Sequence, residues 1–143
     1  MPDSFEAKQP SASLHHFGFV VRSIAEEAAS FLQALRAEWD GNIYEDPLQK
    51  VRVTFLRPGI AANPQIELVE PLGDQSPVGR FLAGGGGLHH VCYEVPDLSE
   101  QLNSLTPGEI IVVREPLPAI AFRGRLIAWA RTRKGLLIEY LQR

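Results

Sequence analysis

Hydrophobic and polar residues along this chain alternate in short runs, broken by stretches of helical spacing. His15 to Val21 is rich in aromatic and β-branched residues, which predicts a strand. Ser23 followed by Glu26 forms a capping-box pattern. Ile24, Ala28, Phe31, Leu32 and Leu35 then recur at helical spacing, so a helix is predicted to end near Ala37. Trp39 to Glu45 is expected to be extended, with a turn at Asp46-Pro47. Val51 to Leu56 and Gln65 to Val69 read as strands, joined by a loop from Pro58 to Pro64. Ser76-Pro77 predicts the start of a short helix running to about Leu82. Gly84 to Gly87 reads as a hinge. A strand over Leu88–Val95 follows, then a second capping pattern at Asp97 and Glu100 whose helix stops before Pro107. Ile110–Val113, Leu126–Trp129 and Leu136–Leu141 complete the strands. Each half therefore reads β-α-β-β-β.

The same pattern occurs twice because the sequence does. Leu14-His15-His16-Phe17-Gly18-Phe19-Val20-Val21 returns as Leu88-His89-His90-Val91-Cys92-Tyr93-Glu94-Val95. Gln65-Ile66-Glu67-Leu68-Val69-Glu70 returns as Leu137-Ile138-Glu139-Tyr140-Leu141-Gln142. Position 90 lies 74 residues past position 16, and 139 lies 72 past 67. Two copies of one module thus each supply a histidine and a glutamate. Two imidazoles and two carboxylates joined by pseudo-symmetry suit a divalent metal ion.

Strand alternation selects among the histidines. Phe17, Phe19 and Val21 form an apolar face that should cover the helix, leaving His16, Gly18 and Val20 opposite. Val91, Tyr93 and Val95 take the corresponding face in the second copy, leaving His90, Cys92 and Glu94 opposite. His16 and His90 therefore share a side, and His15 and His89 are expected to point away. Glu67 shares its face with Val69, and Glu139 with Leu137 and Leu141. A carboxylate buried beside such residues requires a cation or a hydrogen-bond partner.

Bulk properties narrow the classes. A half of this 143-residue chain would bury little apolar surface alone, so the halves should pack on each other. The net charge of −3 argues against a general nucleic-acid binder. No apolar run approaches the roughly 18 residues of a membrane span. The single cysteine, Cys92, rules out an internal disulfide and points to a cytoplasmic protein, with Cys92 itself a small buried residue. Arg123, Arg125, Arg131, Arg133 and Lys134 concentrate positive charge that could receive an anionic substrate.

With these features assembled, the chain resembles the vicinal oxygen chelate superfamily, which includes glyoxalase I and the extradiol dioxygenases. Within it, the resemblance is closest to the methylmalonyl-CoA epimerase branch. It is carried by Val51–Leu56, Ile66–Leu72, Ser76-Pro77, Gly86–Val95 and Gly135–Glu139. The resemblance implies an α+β fold: two tandem β-α-β-β-β modules forming a curved, partly closed mixed sheet around a metal site. One domain is expected over residues 14–143, with halves at about 14–72 and 88–142, a connector at about 73–87 and a flexible tail at 1–13. The implied metal ligands are His16, Glu67, His90 and Glu139, holding one divalent ion (Co, Mn, Ni, Zn or Mg).

Glu139 is also the implied catalytic residue, exchanging a proton next to a carbonyl. The implied activity is a metal-dependent epimerase or isomerase acting on an anionic acyl compound, such as an acyl-CoA thioester. A glyoxalase I-like lyase or other metal-dependent enzyme of the superfamily, and a non-catalytic small-molecule binding protein, are the alternatives. A homodimer is expected from the family. Three departures stand out, the first being that Pro118–Arg125 and Trp129–Lys134 replace the glycine-rich, His-Pro-Lys-containing stretch that the epimerases usually have before the last strand. His15 occupies a position where relatives often carry aspartate, and Val51–Leu56 lacks the carboxylate some relatives carry there. A second proton carrier would then be water, Glu94 or Glu45.

Overall fold

The computed structural model describes residues 12–59 and 64–143. Most of the tail expected at 1–13, and the middle of the loop expected between Pro58 and Pro64, lie outside the described residues. The elements follow as β1 (Ser13–Val20), α1 (Ile24–Leu35), β2 (Ala37–Glu38), β3 (Tyr44–Asp46), β4 (Val51–Pro58), β5 (Gln65–Pro71), α2 (Gly79–Ala83), β6 (Gly87–Val95), α3 (Leu98–Asn103), β7 (Ile110–Pro118), β8 (Leu126–Thr132) and β9 (Leu137–Gln142). Nine strands form one mixed sheet, eight of them in the order β2-β4-β5-β1-β6-β9-β8-β7 and β3 paired with β4 beside that path. The layout is symmetric about its centre. β1 and β6 run antiparallel, β1 has β5 as a parallel neighbour, and β6 has β9 as a parallel neighbour. The sheet is unclosed, but its ends approach each other: the turn at Ile120–Phe122 packs on β3. Arg114 of β7 donates to the Leu48 carbonyl at 3.1 Å. Among the described residues no helix is long and apolar enough to cross a membrane.

Each half has a helix layer and an inner layer. Against α1, Val21, Ile24, Ala28, Leu56, Ile66 and Leu68 are buried, with Phe17 and Phe19 half-buried against them on the face the alternation predicts. Against α3, Val95, Leu98, Ala128, Ala130 and Tyr140 form the matching cluster. The inner faces carry Val20, Val51, Val53, Val69 and Val78 in one half and Cys92, Ala119, Phe122, Ile127 and Leu141 in the other. Each large apolar side chain so buried contributes about 1.5–3 kcal/mol of transfer free energy. Helix starts repeat as well. Ser23 Oγ accepts from Glu26 N, and Asp97 Oδ1 accepts from Glu100 N. Glu70 accepts from Ile24 N at 2.9 Å, and Gln142 accepts from Leu98 N at 2.7 Å. The residue three places after each repeated glutamate thus caps the helix of its own half.

Several boundaries differ from those expected. α1 ends at Leu35, because Arg36 takes a left-handed conformation with φ of 50° and closes the helix. The extended segment expected from Trp39 to Glu45 is interrupted: of it only Tyr44 and Glu45 pair with β4, while the Thr54 side chain of β4 accepts from Trp39 Nε1 and donates to the Asn42 carbonyl. α2 starts at Gly79 without a side-chain cap; Ser76 Oγ is buried without a hydrogen-bond partner. β7 continues to Pro118, bending through two register shifts against β8. The glycine run expected to be a hinge forms a tight turn: Gly86 has φ of +67°, and a Cβ there would meet the Val20 carbonyl oxygen at 2.7 Å.

Candidate metal centre

Sheet register brings the four repeated residues together. Gly18 of β1 lies opposite Glu67 of β5 on one side and His90 of β6 on the other. One row therefore reads Glu67, Gly18, His90. The neighbouring row reads His16, Cys92, Glu139, because His16 pairs with Cys92 and Cys92 with Glu139. The small residues between them leave room on the inner face. A Cβ on Gly18 would stand 2.0 Å from His90 Cε1, so the His90 ring fills the place of the missing side chain.

All four side chains are buried, with no more than 5% of any residue exposed. His16 Nε2 lies 3.2 Å from His90 Nε2, 3.6 Å from Glu67 Oε1 and 3.2 Å from Glu139 Oε1. His90 Nε2 lies 3.3 Å from Glu67 Oε1 and 3.9 Å from Glu139 Oε1. Two atoms bonded to one ion at about 2.1 Å can lie no more than about 4.2 Å apart, and every one of these separations is shorter. Glu139 Oε1 is buried, and apart from the His16 Nε2 contact it has no partner to compensate its charge. His16, Glu67 and His90 bring their ligand atoms within 4.8 Å of one another, and the buried Glu139 oxygen facing the two imidazoles completes a set that fits a hard or borderline divalent cation.

Electrostatics agree with that fit. Burial opposes protonation of His16, but Glu67 and Glu139 outweigh it and hold its pKa above the ordinary value. Burial would raise the Glu139 pKa, yet His16, His90 and the Cys92 thiol hold it low, so the carboxylate stays ionised. The centre attracts positive charge. Burial and then Glu139 push the Cys92 thiol well above its usual range. Cys92 is therefore a protonated packing residue.

His15 and His89 do not point away, contrary to the simple alternation. The β1–β6 ladder shifts register between Leu14 and His16 on β1, and across His89 on β6. Each shift is a bulge whose extra residue is a histidine, and a bulge re-aims its side chain. His15 Nδ1 lies 2.8 Å from His16 Nδ1, and His89 Nδ1 lies 2.9 Å from His90 Nδ1. Both rings are half-buried. Burial and then His16 lower the His15 pKa, while burial and then His90 lower that of His89 to about 4.

A cleft of about 340 Å³ opens onto the centre, and Glu67, His90 and Glu139 form part of its wall. His16 lies behind it, packed near Phe55 and Phe122. Of the basic cluster, only Arg131 lines this cleft, joined by Arg114, which spacing alone does not single out. Arg125 instead binds Glu94, and Arg133 binds Glu109. Neither Glu94 nor Glu45 lines the cleft. Arg125 and Arg143 hold Glu94, and Glu45 pairs with Arg52. Asp46 does line it, but Leu48 N, Gln49 N and Gln49 Nε2 occupy its oxygens, so it fastens the turn foreshadowed by Asp46-Pro47.

Comparison with known proteins places the chain in a family. The chain is 32% identical over 133 residues to the ethylmalonyl-CoA/methylmalonyl-CoA epimerase of Cereibacter sphaeroides, covering 90% of this chain and 96% of that one. A hypothetical protein from Bacillus halodurans C-125 has the same fold with a TM-score of 0.80 and 28% identity, covering 93% of this chain and 95% of that one. A variant of the Streptomyces coelicolor methylmalonyl-CoA epimerase, in complex with 2-nitronate-propionyl-CoA, shares the fold with a TM-score of 0.77 at 20% identity, over 90% of this chain and 95% of that one. Residues 15–129 match the glyoxalase/bleomycin resistance protein/dioxygenase superfamily, and the chain belongs to that family.

Proposed function

We propose that this protein is a metal-dependent epimerase or isomerase that moves a proton on the carbon next to a carbonyl of an anionic acyl-CoA thioester. The observation that carries the reading is Glu139: a buried carboxylate in the cleft wall, held ionised by His16 and His90, whose Oε1 has the His16 Nε2 contact at 3.2 Å and no further partner. The epimerase relatives support the same reaction class. His16, Glu67, His90 and Glu139 would hold the divalent ion. Such an ion supplies the electron withdrawal that makes a carbon next to a carbonyl acidic enough for a carboxylate.

The chain's own residues divide the remaining work. Arg114 and Arg131 offer positive charge at the cleft wall to the anionic parts of the substrate. Val51, Val53, Val69 and Val78 line the side formed by the first half and restrict water there. Glu139 removes the α-proton as general base. No carboxylate faces it from β4, where Val53 lines the cleft, so a water entering through the cleft mouth protonates the carbon and the proton held by Glu139 passes to the hydroxide left behind, restoring carboxylate and water. The test is deuterium exchange into methylmalonyl-CoA with Glu139→Gln. Exchange should fall by about 10²-fold or more, while elemental analysis still finds much of the metal. Exchange at the wild-type rate would remove Glu139 as base. A metal-loaded wild type that exchanges no thioester would turn the reading to a glyoxalase-like lyase or a binding protein.

A further inference from the structure

His15 and His89 are the two half-buried polar side chains that the metal centre leaves without a task. Each sits at a bulge of the β1–β6 ladder, and each touches the next histidine nitrogen to nitrogen, at 2.8 Å and 2.9 Å. Two imidazole nitrogens at that distance share one proton: one donates and the other accepts. His16 and His90 turn Nε2 toward each other and toward Glu67 and Glu139. To bind a cation there, each must keep a lone pair on Nε2 and carry its proton on Nδ1. His15 and His89 must then accept through Nδ1 and carry their own proton on Nε2. Aromatic edges hold both accepting rings in place. His15 meets Phe122 with centroids 5.4 Å apart, and His89 meets Phe81 at 4.8 Å.

We infer that His15 and His89 are a pseudo-symmetric pair of positioning residues, each accepting the Nδ1–H of the following histidine and so aiming its Nε2 lone pair into the metal centre. This rests on the metal reading given above. The unusual part is the acceptor, a neutral imidazole adjacent in sequence, which only the bulge allows to reach its neighbour. Neutral acceptors also suit the charge of the site. Two carboxylates already balance a divalent cation, and an uncharged acceptor adds no buried charge to that sum.

The test measures metal affinity by chelator competition with Co²⁺ in the wild type and in His15→Leu, His15→Asn, His89→Leu and His89→Asn. The Asn carbonyl oxygen stands near the imidazole Nδ1 position and can accept, whereas Leu fills similar space and cannot. The Leu variants should bind Co²⁺ about 10–100-fold more weakly, and the Asn variants should recover most of that loss. In Zn²⁺-loaded wild type, ¹⁵N NMR should show His16 and His90 as Nδ1–H tautomers and His15 and His89 as Nε2–H tautomers. Tight wild-type binding with undiminished Leu variants overturns this inference alone. So do Asn variants as weak as Leu, which would indicate packing, or an Nε2–H tautomer at His16 or His90. A wild type that binds no Co²⁺ overturns the metal reading and this inference with it.

Discussion

Gly18 shows how much one residue can decide. It stands between Glu67 and His90 in the sheet register, and the His90 ring occupies the volume its side chain would take. A Cβ there would lie 2.4 Å from His90 Nδ1 and 2.5 Å from Nε2. The ring must therefore move in Gly18→Ala, while the strand conformation accepts alanine. Overpacking of this kind destabilises by about 1–3 kcal/mol. The larger effect should be on the centre: Co²⁺ affinity is expected to fall at least about 10-fold, while circular dichroism stays that of the wild type. Titration calorimetry showing undiminished affinity would mean that His90 does not bind the ion. The placement of Gly18 on the face of His16 is readable from alternation. That a ring from the neighbouring strand fills its space is not, because a one-chain pattern carries no register between strands.

At the scale of elements, the same limit explains why His15 and His89 do not point where alternation puts them. Strand parity correctly brings together His16, Glu67, His90 and Glu139, since those strands alternate regularly at these positions. It fails for His15 and His89, because each is the extra residue of a bulge, and a bulge cancels parity locally. Glu94 has the expected parity but lies four positions along β6, where cations from other elements capture it. Arg125 Nη2 donates to Glu94 Oε2 at 2.8 Å, and Arg143 Nε donates to Oε1 at 3.0 Å, tying β6 to the approach to β8 and the end of β9. Burial alone would raise the Glu94 pKa, but the two arginines outweigh it and hold it below the ordinary 4.5. A carboxyl whose folded pKa is depressed contributes stability that is fully present above its unfolded pKa and lost as pH falls through the folded one. Both arginines are more than a third exposed, so solvent screens the pairs, and Glu94→Gln should cost about 0.5–1 kcal/mol in urea unfolding at pH 7, with the difference shrinking at acidic pH below the ordinary carboxylate value. An equal penalty at both pH values would show that charge is not what holds these strands.

For the whole molecule, the repeat is the level at which sequence says most, since matched offsets of 74 and 72 residues put two equivalent ligand pairs into two equivalent half-sheets. Neither half holds the set alone. His16 and Glu67 come from β1 and β5, while His90 and Glu139 come from β6 and β9. An ion bound by all four would bridge the two halves across the central β1–β6 pair, and unfolding either half would release it. Ligand binding confined to the folded state stabilises by mass action, about 2.7 kcal/mol at a free ion concentration 100 times Kd. For a chain of this size that raises the melting temperature by roughly 5–10 °C. Calorimetric melting with Co²⁺ and with EDTA should differ by that amount in a single cooperative transition. The double variant Glu67→Gln/Glu139→Gln, which loses one carboxylate from each half, should melt at the same temperature in both conditions. If it kept the wild-type shift, the ion would be binding elsewhere. If only part of the wild-type melting curve moved with Co²⁺, the ion would be stabilising one half rather than joining two.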